Sequence, residues 1–90
     1  MEDDRLVKLR ELLTENFRPP EIYMFKFIVP NNNQAHAMAM ALFDESAQVE
    51  SRVSGKGSYI SLTAREMMVS VDSILEKYRA AYAIDGLIAL

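Results

Sequence analysis

Cysteine and tryptophan are absent from this chain of 90 residues, histidine occurs once, and glycine and proline occur three times each. Without cysteine there is neither a disulfide framework nor a thiolate zinc site. The lone His36, between Ala35 and Ala37, reads as a packing or solvent-facing helix residue. Asp3–Asp4 and Asp44–Glu45 read as helix-end charges, so no metal and no cofactor are expected. No apolar run approaches the ~18 residues of a membrane span. The opening MEDDR is acidic where a secretory leader carries positive charge, and a cytoplasmic location is the expectation. Basic charge is also scarce: the net charge of −3 argues against DNA as a partner and weighs against RNA.

What is present is enough for one globular core. Half of the residues are hydrophobic, and a chain of this length buries roughly 60 % of its unfolded surface without staples. Residues 3 to 15 carry Leu6, Leu9, Leu12 and Leu13 at helical spacing, with Asp3 or Asp4 as cap. Phe17 and the Pro19–Pro20 pair end that helix. The spacing sets apart an N-terminal helical appendage, 1–16, from a main domain, 17–90.

The main domain starts with EIYMFKFIVP, a strand apolar on both faces. Tyr23, Phe25, Phe27 and Val29 share one side; Ile22, Met24, Lys26 and Ile28 share the other. Such a strand belongs at the centre of a sheet. Asn31, Asn32 and Asn33 make a turn and a helix cap, and a helix over 34–44 would carry Ala35, Met38, Ala39 and Leu42 on one stripe. Val49 and Val53 then alternate with Gln48, Glu50 and Arg52, and Ile60, Leu62 and Ala64 with Tyr59, Ser61 and Thr63. Met67–Met68 are read as loop, Ser70 as the cap of a helix carrying Val71, Ile74, Leu75, Tyr78 and Tyr82, and LIAL as a closing strand after Asp85–Gly86. The order is a helix followed by β-α-β-β-α-β: an α+β, ferredoxin-like sandwich with an antiparallel four-stranded sheet and an extra N-terminal helix.

The stretch RVSGKGSYISLTAR is the one that invites a chemical reading. A phosphate-binding P-loop leads from a strand into a helix, whereas here the glycines join two strands, so SGKG is a hairpin turn. RNA recognition motifs share this element order and stack bases on third-strand aromatics. In KGSYISL, however, Ser58 and Ile60 occupy the places of those rings, and Tyr59 is displaced by one residue, which is a change of face. Ser54, Ser58 and Ser61 have no base beside them, and no catalytic residue is assigned. The six methionines read mainly as core filler, although methionine-rich surfaces also adapt to varied partners.

YMFKFIVP, SRVSGKGSYISLTA and the closing IDGLIAL together resemble the small uncharacterised YbeD-like family, a domain-of-unknown-function family, over residues 17 to 90. The resemblance implies a ferredoxin-like fold similar to the ACT regulatory domains, which bind amino acids and associate sheet to sheet or helix to helix. It implies no reaction. ACT-type ligand loops place a glycine between first strand and first helix, where this chain has Asn31–Asn32–Asn33–Gln34, a departure that weighs against amino-acid binding.

The expected function is therefore a non-enzymatic regulatory or adaptor domain acting through protein contacts, self-association included. An ACT-like small-molecule sensor and a single-stranded RNA binder are the alternatives. Asn31, Asn32, Asn33, Met24, Ile28 and Tyr59 are the candidate ligand- or partner-binding residues. Because Ile22, Met24, Ile28 and Tyr59 make an apolar patch, a cover is expected, either the N-terminal helix folding back or a second chain.

Overall fold

The computed structural model describes residues 3–90. The elements run α1 (Asp4–Asn16), β1 (Glu21–Pro30), α2 (Asn33–Met40), β2 (Gln48–Val53), β3 (Tyr59–Met68), α3 (Val71–Tyr82) and β4 (Ile88–Ala89). The four strands form one antiparallel sheet in the order β2-β3-β1-β4, compatible with a ferredoxin-like α+β fold. β1, the strand apolar on both faces, is indeed internal: it pairs with β3 from Glu21 opposite Met68 to Pro30 opposite Tyr59, and with β4 through Ile28 opposite Ile88.

Local chemistry explains the helix starts. The Asp3 carboxylate accepts the Arg5 backbone N–H at 2.8 Å, and the Arg5 guanidinium on the same carboxylate holds its pKa down to about 2. Asn32 Oδ1 accepts the Ala35 N–H and opens α2. Ser70 and Ser73 exchange side-chain and backbone bonds in a capping box that opens α3.

All three helices contribute to cores on one side of the sheet. Phe25, Phe27, Ala64 and Met68 from the strands meet Leu6 and Leu13 of α1, Phe17, and Ile74, Leu75, Tyr78 and Ala81 of α3. A second, adjoining cluster joins Val29, Ile60 and Leu62 to Ala35 and Ala39 of α2 and to Ile84. Each large side chain so buried contributes roughly 1.5–3 kcal/mol. The alanines let α2 approach the sheet closely.

Several expectations are corrected here. α1 does not fold over the patch of Met24, Ile28 and Tyr59: it lies beside α3 in the main core, pinned by Arg10 to Asp72 at 2.8 Å and by Arg5 stacked on the Tyr82 ring. α2 ends at Met40, not 44, and Met38 faces outward while Leu42 falls in the following turn. Met67 and Met68 are strand, not loop, because β3 runs on to cover the whole length of β1, with Met68 buried opposite Glu21.

Candidate interaction face

The sheet has a second face with no helix on it among the described residues. The strand pairing places Ile22, Met24, Lys26 and Ile28 of β1 beside Tyr59, Ser61, Thr63, Arg65 and Met67 of β3, with Glu50 and Arg52 of β2 and Ile88 of β4 at the flanks. The apolar members are open: Ile22 is 63 % exposed, Met24 50 % and Tyr59 47 %. Around Ile28 and Ile88 the surface dips into a depression of about 420 Å³, bordered by Tyr59, Ser61, Arg52 and Val53. Three of the six candidate residues, Met24, Ile28 and Tyr59, thus share one surface, and Ile28 and Tyr59 border one depression.

Electrostatics separate this face from the helical side. There, Arg10, Lys77 and Arg79 each pair with a carboxylate, and Arg5 with Asp3. On the open face Lys26, Arg52, Arg65 and Glu50 form no ion pair among the described residues. The face is therefore locally basic, three cations to one anion, on a chain whose net charge is −3.

The asparagines lie apart from that surface and have structural partners. Asn31 donates its backbone N–H to the Ser58 carbonyl and its side-chain amide to the Gly57 carbonyl, tying the end of β1 to the hairpin. Asn32 caps α2, and Asn33 is its exposed first residue. In the hairpin, Gly57 has φ of +77° and its carbonyl accepts the Asn31 side-chain bond; Gly55 is not in the left-handed region.

Sequence reasoning passed over one buried polar cluster. Glu66 occupies an inward position of β3, between Ala64 and Met68. It pairs with Lys77 of α3 at 3.2 Å, with side chains only 10 % and 17 % exposed, and accepts the Asp44 backbone N–H at 3.0 Å. Lys77 also donates to the Leu42 carbonyl. The cluster clamps the segment after α2 onto β3 and α3. Its signal was parity: in ALTERNATING order after Ile60, Leu62 and Ala64, the next inward residue is a glutamate. A second interior contact, between the Tyr23 and Tyr78 hydroxyls at 2.9 Å, joins β1 to α3, and burial first, then this bond, holds the Tyr78 proton well above the usual phenol range.

Among the described residues no group of three or more His, Cys, Asp or Glu is placed to hold a metal ion, and no helix is long and apolar enough to cross a membrane. Comparison with family models, curated proteins and solved structures finds no match to the chain.

Proposed function

We propose that this chain is a non-enzymatic regulatory or adaptor domain, ferredoxin-like and of the YbeD-like kind, that acts in the cytoplasm through protein contacts on the open face of its sheet. The observation that carries this reading is the exposed run of Ile22, Met24, Tyr59 and Ile88 with unpaired Lys26, Arg52 and Arg65 among them. A patch of that kind marks an interaction surface more often than a solvated one. Its aliphatic make-up, with one aromatic ring, favours protein over RNA, which is read on several stacking rings.

The test is affinity capture from native extract with the wild type and with Met24→Glu/Ile28→Glu. Partners held by the wild type and lost by the folded variant support the reading; partners retained equally by both refute it. A second reading, small-molecule sensing, draws on the depression beside Ile28 and Ile88, whose volume falls in the range of ligand sites. It predicts metabolite-dependent rises in melting temperature that Ile28→Glu abolishes. Salt-sensitive retention on single-stranded RNA, lost with Tyr59→Ala, would displace both.

A further inference from the structure

β2 is an edge strand whose outer side is open. In the hairpin, Ser54 donates its N–H to the Tyr59 carbonyl, and Ser61 Oγ reaches the Arg52 carbonyl. The first of these bonds, with the strand register, fixes the phase of the ladder: even-numbered residues of β2 direct their backbone groups at β3, and Val49, Ser51 and Val53 direct theirs outward. Val53 is also 54 % exposed although its side chain lies on the helix-bearing side of the sheet. Native edges are commonly guarded by charges of one sign or by proline. This one carries no proline, and its two charges, Glu50 and Arg52, are of opposite sign.

Its sequence is instead complementary to itself. Val49-Glu50-Ser51-Arg52-Val53 reads, about its central serine, as valine and valine, glutamate and arginine. We propose that β2 pairs antiparallel with β2 of a second copy about Ser51, joining two four-stranded sheets into one continuous sheet. Ser51 then exchanges both hydrogen bonds with its counterpart, and Val49 does so with Val53 of the other copy. Glu50 stands opposite Arg52 on both sides of the axis, in the non-hydrogen-bonded pairs where side chains approach most closely. A slip of one residue in the pairing would turn outward groups away, and a slip of two would set Glu50 opposite Glu50 or Arg52 opposite Arg52. The contact spans one six-residue strand, so the dimer forms in a concentration-dependent equilibrium.

Sedimentation of the full chain over a concentration series tests this independently of what binds the open face. The wild type is expected to pass reversibly from monomer to dimer. Glu50→Arg and Arg52→Glu should each weaken association by about tenfold or more, since either change puts like charges in both cross-strand pairs. An equimolar mixture of the two should regain wild-type association, because each restores the other's pairs. Ser51→Pro, which removes only an outward N–H, should stay monomeric with its melting transition intact, whereas Met24→Glu/Ile28→Glu should dimerise as the wild type does. A wild type that is monomeric at every concentration overturns the proposal. So do reversals that associate as the wild type does, or a mixture that stays monomeric.

Discussion

Phe27 and Ile28 are neighbours in one strand, and the chain treats them in opposite ways. Phe27 is fully buried under helices, in contact with Phe25, Phe43 and Tyr78 rings, while Ile28 lies on a face that no element among the described residues covers. The same contrast holds for charge. Arg5, Arg10, Lys77 and Arg79 on the helical side find carboxylates, whereas Lys26, Arg52 and Arg65 on the open face form no ion pair among the described residues. A sheet with two apolar faces and one helical layer has thus put its packing on one side. The other side is left open among the described residues.

The sharpest way to break this comparison is to truncate both neighbours. Phe27→Ala is expected to lose about 3–5 kcal/mol, the usual range for emptying a packed aromatic site, and Ile28→Ala no more than about 1 kcal/mol. Denaturant unfolding of the pair gives both numbers; similar losses would mean that the two faces are not different in kind. Next in size is the buried charge pair. Lys77→Met strands the Glu66 carboxylate among apolar neighbours and should cost roughly 2–4 kcal/mol, whereas Glu66→Leu/Lys77→Met should recover much of that. A double-mutant cycle in urea reads the coupling. Failure of the double variant to recover would assign the loss to packing of the lysine stem.

Ionisation adds a pH signature to the helical side. Tyr78 holds its proton more tightly in the folded protein than in the unfolded chain. Its contribution is therefore complete below the ordinary phenol pKa of ~10 and declines as pH rises beyond it, because the unfolded state then binds fewer protons. Tyr78→Phe should flatten the alkaline fall in unfolding midpoint. Smallest are the turn effects at the hairpin. Gly57→Val should cost about 1 kcal/mol or more at its φ of +77°, and Gly55→Val and Lys56→Ala about 0.5 kcal/mol or less in thermal melts. Equal tolerance at both glycines would show that this turn relaxes freely.

Much of this division was legible in the residues, because periodicity and capping are local. The two apolar faces of β1, the alternation of Ile60, Leu62 and Ala64, a cap within Asn31–Asn33 (it is Asn32), the Ser70 cap and the stripe of α3 all stand in the structure where the pattern puts them. The placement of α1 was not legible. An amphipathic helix announces that it must be buried, not which of two apolar faces will receive it; the contacts that receive it, Leu6 and Leu13 in one cluster with Phe25, Ile74 and Tyr78, join residues far apart in sequence. The early end of α2 has the same origin, since the turn after Met40 is held by Glu66 and Lys77 from other elements. Of the candidate site, Met24, Ile28 and Tyr59 follow from strand parity. The asparagines were ambiguous because turn residues and ligand residues use the same side-chain chemistry, and here the bonds of Asn31 and Asn32 go to the backbone.

The central claim is that the open face is dispensable for folding. The direct measurement is urea unfolding of Met24→Thr/Ile28→Thr/Tyr59→Thr against the wild type at one protein concentration, threonine keeping a strand-forming shape while removing the apolar surface. The account predicts a transition of unchanged slope with a stability within about 1 kcal/mol of the wild type. A loss of several kcal/mol, on the scale of Phe27→Ala, would contradict it and make that face part of the core.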